Sequence, residues 1–113
     1  MAVIVREICK ETQLPIGVNC LRNDARSALG IATVVGACFI RVNVLTGVAA
    51  TDQGMIEGDA HRTLRDRELL CPDVQILADV HVKHAICVNQ PDIALAAEET
   101  AYRGRADAVI VSG

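Results

Sequence analysis

Apolar positions along this 113-residue chain switch repeatedly between a helical and an extended period. Residues 2–11 carry the helical spacing, and after Pro15 fixes the entry, Leu14 to Leu21 reads as an extended run. Asn23 or Asp24 can cap a second helix, Asp24 to Val35, which Gly36 stops. Cys38 to Val44 then reads as a strand. A charged helix is predicted from Asp59 to about Leu70, ended by Pro72, and Val74 to Val82 is a third strand. A last helix runs from about Asp92 to Tyr102, and Ala108 to Val111 is a fourth strand. Between them residues 45–58 show no clear period and are read as a long loop with Gly47, Gly54 and Gly58 as hinges.

Strands separated by helices, with no hairpin signal between them, indicate an α/β chain whose strands pair in parallel through crossovers. A weak internal repeat agrees: Gly36-Ala-Cys-Phe-Ile-Arg-Val-Asn and Arg105-Ala-Asp-Ala-Val-Ile-Val-Ser occupy the same helix-to-strand junction.

Because strand side chains alternate, each strand divides into two faces. Ile16 and Val18, Ile40, Val42 and Val44, the even-numbered residues from Val74 to Val82, and Val109 and Val111 make one aliphatic face. The opposite face gathers polar groups toward the carboxyl ends: Asn19, Asn43, His81 and Ser112. In parallel α/β proteins that end is where ligands bind. Arg41 and Asp79 lie deeper on the same face and are read either as an ion pair filling the interior or, for Asp79, as a general base or metal ligand. Asp79 and His81 form an Asp-x-His pair, suited to moving a proton near neutral pH. A metal would need further ligands, and no second histidine cluster exists, so no metal is assigned. Lys83 can hold a phosphate or carboxylate, His84 can turn into the site or face solvent, and Asp52 in Thr51-Asp-Gln-Gly can reach over the strand ends. Arg22 is a candidate substrate clamp, whereas Asp24 beside it reads as a helix cap.

Composition narrows the function classes. Eleven Lys plus Arg stand against 14 Asp plus Glu, for a net charge of −3, and Phe39 and Tyr102 are the only aromatic rings. Nucleic-acid binding by stacking on a basic track is therefore not expected. The longest uncharged run, Ser27 to Ile40, is 14 residues, against the roughly 20 apolar residues of a membrane span. Charge at Arg6 and Glu7 interrupts what a signal peptide would need to be apolar, so the expected compartment is the cytoplasm, with peripheral membrane association as the alternative. Cys9, Cys20, Cys38, Cys71 and Cys87 are scattered and odd in number, and are read as reduced, mostly buried thiols. There is no P-loop, Gly-x-Gly-x-x-Gly or Gly-x-Ser-x-Gly motif, so no cofactor is named.

Five segments in order resemble the BtpA/SgcQ family: Leu14-Pro-Ile-Gly-Val-Asn-Cys-Leu-Arg-Asn-Asp-Ala, Phe39-Ile-Arg-Val-Asn-Val-Leu-Thr-Gly, Thr51-Asp-Gln-Gly-Met-Ile-Glu-Gly, Ala78-Asp-Val-His-Val-Lys-His-Ala and Ala106-Asp-Ala-Val-Ile-Val-Ser-Gly. Ile86-Cys-Val-Asn departs from the Pro-Leu-rich continuation such members carry. The resemblance implies a (β/α)8 TIM barrel, one branch of which is named for photosystem I biogenesis and another of which carries nucleosidase or sugar-metabolism labels. A full barrel takes about 250 residues, so residues 1–113 are expected to form one incomplete barrel domain, with about four of the eight strands, resembling the third to sixth.

Four strands cannot close a barrel. The expected partners are a second copy or a complementing chain that covers the open half, together with a small-molecule ligand. The leading functional expectation is a hydrolase- or lyase-type barrel enzyme acting on a small molecule such as a nucleoside or phosphosugar, the fragment itself being inactive alone. Asp79 and His81 would be catalytic, and Asn19, Arg22, Asn43, Asp52, Lys83, His84 and Ser112 would bind substrate. The alternatives are a non-catalytic biogenesis or stability factor for a membrane complex, or an inactive remnant.

Overall fold

The computed structural model describes residues 1–112. Its elements, in chain order, are α1 (Ala2–Glu11), β1 (Gly17–Val18), α2 (Ala25–Val35), β2 (Phe39–Val42), β3 (Val48–Thr51), β4 (Gly54–Glu57), α3 (Ala60–Leu70), β5 (Gln75–Val80), β6 (Ala85–Cys87), α4 (Ile93–Glu98) and β7 (Ala108–Val111). A π-helical turn, Glu99–Arg103, continues α4.

Four strands form one parallel sheet in the order β1-β2-β5-β7, with Val18 opposite Ile40, Ile40 opposite Ile76, and Ala78 opposite Val109. The order never doubles back, as in a barrel wall and unlike a doubly wound sheet, where it reverses at a switch point. The chain is thus α/β, with parallel strands alternating with helices as in part of a TIM barrel. The two repeat segments occupy equivalent junctions. Gly36 and Arg105 both adopt positive φ, 73° and 56°. Two residues on, Cys38 N–H donates to Ile16 O at 2.8 Å and Asp107 N–H to Ile76 O at 2.9 Å, each stitching a new strand to the preceding one.

The aliphatic face is the core. Ala28, Leu29 and Ala32 of α2 pack with Ile40, Val42, Ile76 and Ala78, all 3% exposed or less. Small residues on α2 let the helix approach the sheet, and Val5 of α1 and Leu64 of α3 pack at its flanks. Asp24 accepts from Ser27 N–H at 3.0 Å and starts α2, as its position predicts. The face carrying Phe39, Arg41 and Leu77 is half-buried.

The long loop at residues 45–58 is corrected by the structure. It contains an antiparallel hairpin, β3–β4, and β6 adds to β3 to make a second sheet in the order β4-β3-β6. The expectation that the chain holds no hairpin is therefore wrong. The turn needs only Asp52 and Gln53, because Gly54 takes φ 118° and the Thr51 hydroxyl bridges it, accepting from Gln53 N–H and donating to Gly54 O at 2.8 Å. The cysteines are also less buried than expected. Cys38 is exposed and the other four half-buried, all as free thiols, with Cys9, Cys20 and Cys71 packed at the margin of the core.

Candidate functional site

Where β2 and β5 end, the interior face changes from apolar to polar. Asp79 on β5 is the centre: its side chain is 1% exposed and accepts from Arg41 Nε at 3.0 and 3.2 Å, Arg41 Nη2 at 3.1 Å and Asn43 Nδ2 at 2.8 Å. Register explains the set. Val42 faces Ala78, so the next step puts Asn43 beside Asp79, with Arg41 one layer below on the same face. The predicted interior ion pair is present and bidentate, although Arg41 is 42% exposed. Asn43 Oδ1 is buried without a hydrogen-bond partner.

His81 does not continue the alternation. β5 stops at Val80, and His81 turns into the left-handed region with φ 54°. Its Nε2 lies 2.8 Å from Gln90 O. A carbonyl can only accept, so Nε2 carries the hydrogen and, in the neutral ring, Nδ1 keeps a free lone pair. Asp79 and His81 are brought to a common small cavity of about 40 Å³, lined also by Asn43, Thr46, Gln90 and Thr100. No hydrogen bond joins the two side chains among the described residues.

A larger cavity of about 420 Å³ adjoins it, sharing Asn43, Val44, Val82 and Ala85. Arg22, Arg41, Asn43, Lys83, His84 and Ser112 supply its polar wall, and Leu21 and Ile56 its apolar one. Five of the seven substrate-binding candidates therefore meet in one place. Asp52 stands at the hairpin tip and is 79% exposed, but it reaches the same edge through Arg22, whose Nη2 lies 3.5 Å from Asp52 Oδ1 while Nη1 donates to Thr51 Oγ1 at 2.8 Å. Asn19 lines neither cavity; it follows β1 half-buried, and its Oδ1 is a second buried oxygen without a partner.

Three contributors are not placed by the sequence, which offers Asn23 only as a cap candidate. Asn23, at φ 55°, donates from Nδ2 to Val44 O at 2.9 Å and accepts from Val44 N–H at 2.8 Å, so one amide extends the backbone pairing beyond β2 and anchors Arg22 beside the rim. An asparagine directly before a helix cap is the signal that was present, since asparagine tolerates positive φ. Thr46 and Thr100 hydroxyls, 3.1 Å apart, tie the loop after β2 to the π-helical turn, and no local pattern announces that contact.

Arg22, Arg41 and Lys83 line the larger cavity against Asp79, which is buried behind Arg41, and Asp52 at its outer edge. Close to the site, burial and then the negative charge of Asp24 push the Cys20 thiol above its ordinary range.

The BtpA family model matches residues 1–113. The chain is 57% identical over its full length to the photosystem I biogenesis protein BtpA of Synechocystis, covering 39% of that protein. It is 53% identical to an uncharacterized protein of Methanocaldococcus jannaschii, covering 42% of it, and 30% identical to the sgc region protein SgcQ of Escherichia coli, again covering 42%. The chain thus spans about two fifths of the length of these relatives. No solved structure gives a significant match. With every residue accounted for by one family model and identities up to 57% along the whole length, the chain belongs to the BtpA family.

Proposed function

We propose that the chain supplies the central wall of a barrel enzyme that binds a small anionic molecule over the ends of β2 and β5 and moves a proton there. The observation that carries this reading is the convergence of Arg22, Asn43, Lys83, His84 and Ser112 on one cavity of about 420 Å³, next to the cavity that holds His81 and Asp79. Ligand sites commonly combine such a volume with a few convergent polar groups. His81 carries the proton, because Nδ1 keeps its lone pair when Nε2 is tied to Gln90 O. Asp79 acts with it by holding Arg41 and Asn43 in place through every oxygen it has. The left-handed backbone at His81 costs energy, and strained backbone of this kind gathers at working sites. Residues 1–113 are one incomplete barrel domain in this reading, and a second copy or a complementing chain covers the open half. Asp52 contributes from the rim as the hairpin's hold on Arg22, whereas Asn19 lines neither cavity and has no part in this reading. The experiment is His81→Ala and Asp79→Asn in the longest available form of the protein, with turnover screened over phosphorylated and carboxylated small molecules. Loss of turnover by at least 100-fold with the fold retained is expected; unchanged turnover in both variants overturns the reading.

A non-catalytic role in assembling a membrane complex is favoured by a different observation. On the second sheet Met55 and Ile86 flank Ala50 in register, and they are 59% and 75% exposed. An exposed apolar row suits a protein partner, and one relative carries a biogenesis name. No helix among the described residues is long and apolar enough to cross a membrane, so contact with such a complex would be made from its surface. Met55→Lys with Ile86→Lys should abolish that role while leaving small-molecule binding at the rim intact.

A further inference from the structure

We infer that Asn89 is a positioning residue for His81: clamped to the start of β3, it sets the Gln90 carbonyl against the imidazole and so decides which ring nitrogen keeps its lone pair. The inference takes its consequence from the proton-transfer reading above, while its geometry stands apart from any ligand. Gln90 O lies 2.8 Å from His81 Nε2, yet Gln90 is nine residues further along the chain, beyond β6. Something must bring that carbonyl back. The ladder between β3 and β6 pairs Ala49 with Cys87, and Val88 N–H donates to Val48 O at 2.8 Å. Where the ladder ends, the Asn89 side chain continues it: Oδ1 accepts from Val48 N–H at 2.9 Å and from the Cys87 thiol at 3.6 Å. The amide cannot be turned over, because Nδ2 would then face the Val48 N–H. Gly47 completes the clamp. It takes φ 75°, and a Cβ there would overlap the Asn89 amide. On the other side of Gln90, Pro91 restricts its backbone toward extended conformations, and Asp92 accepts from Leu95 N–H at 3.0 Å to start α4. The carbonyl is thus held from both ends, by Asn89 before it and by the proline and the helix cap after it. A neutral imidazole facing that acceptor is confined to one tautomer, and once released it samples both.

Long-range nitrogen–proton correlation spectra of the 15N-labelled chain, recorded above the histidine titration range, read the tautomer directly, with the His81 signals assigned by their loss in His81→Ala. In the parent the two ring nitrogens should resonate at the opposite extremes of a single tautomer. Asn89→Ala, and independently Gly47→Ala, should draw the two shifts toward each other. Asn89→Asp keeps an acceptor for Val48 N–H and should restore the parent spacing. Gly17→Ala disturbs the parallel sheet and leaves this loop alone, so it should not move the spacing, which separates positioning from a general loosening of the fold. Parent-like spacing in both Asn89→Ala and Gly47→Ala, with circular dichroism showing the fold retained, overturns the inference, and so does a collapse in Asn89→Asp equal to that in Asn89→Ala. If the spacing collapses while Asn89→Ala turns over small molecules as fast as the parent, the positioning stands and the proton-carrying role of His81 falls.

Discussion

At the scale of single residues, the parallel sheet depends on positions where one atom decides the packing. A Cβ at Gly17 would overlap the Phe39 ring, so Gly17→Ala must drive the ring out of its place on the interior face. Overpacking of this kind costs about 1–3 kcal/mol, to be read as a lower denaturant midpoint with an unchanged slope. Asn23→Ala should cost more, about 2–4 kcal/mol, because it strands the N–H and C=O of buried Val44 and also places alanine at positive φ. Asn23→Gly relieves the backbone but not the lost bonds, and should fall between the parent and Asn23→Ala. Thiol chemistry offers a second measure. Cys38 is exposed, whereas burial and Asp24 hold the Cys20 thiol above its ordinary range. Iodoacetamide should therefore label Cys38 first and Cys20 only at higher pH, and Asp24→Asn should speed labelling of Cys20 without changing Cys38. Much of this scale was readable beforehand. The Arg41–Asp79 pair and the place of Asn43 beside it follow from strand alternation, whereas Arg22 and Lys83 lie beyond the ends of β1 and β5. His81 was not fully readable, since period-2 reasoning holds only while the strand lasts, and a histidine at positive φ carries no mark in the neighbouring residues.

At the scale of elements, local chemistry at helix ends was more legible than the short strands. Asp24 starts α2 and Gly36 ends it as their residue types predict, because cap bonds are made within a few residues of chain. The two Ser27 hydrogen bonds hold the Asp24 carboxyl below the ordinary aspartate value of 3.8. The sign of the pH effect follows: a depressed acid stabilises the fold above its unfolded value, and that contribution is lost as the pH falls through the folded value. Asp24→Ala should accordingly cost about 1 kcal/mol at neutral pH, and the difference between the two proteins should shrink on acidification through the carboxylate range. Thermal unfolding of both across that range measures it; a cost that stays constant into strong acid would remove the charged cap from the account. β3, β4 and β6 went unread for a physical reason. Val-Ala-Ala-Thr, Gly-Met-Ile-Glu and Ala-Ile-Cys are too short and too poor in β-branched alternation to signal a strand alone. They become strands by pairing with one another across up to 38 residues, information that no local window holds. The π-helical turn after α4 is similarly a tertiary feature, tied down by Thr46 and Thr100.

At the scale of the whole molecule, the sheet is finished on its inner strands and open beyond them. On β2 and β5 the aliphatic face is sealed beneath helices, but on β7 the corresponding Val109 and Val111 are 37% and 61% exposed, and β7 has β5 as its single neighbour. An unpaired edge with apolar side chains beside it is a template for another chain. The chain should therefore associate with itself at high concentration, and amide exchange should locate where. Ile40 and Ile76, fully buried on strands with neighbours on both sides, should exchange slowest at every concentration. Amides of Val109 to Val111 should exchange rapidly in dilute solution and become protected as the sedimenting mass rises. Val111→Lys should hold the chain in its smallest species without touching the protection of Ile40 or Ile76, because it charges the edge and leaves the core unaltered. If β7 were as protected as β5 in dilute monomer, the exposed valines would be a tolerated surface, and the wall formed by these four strands would need nothing beside it. The rim cavity borders that same edge through Ser112. Covering β7 should thus change ligand affinity at the rim as well as the association state, and the two measurements on one Val111→Lys variant decide whether edge and site are linked.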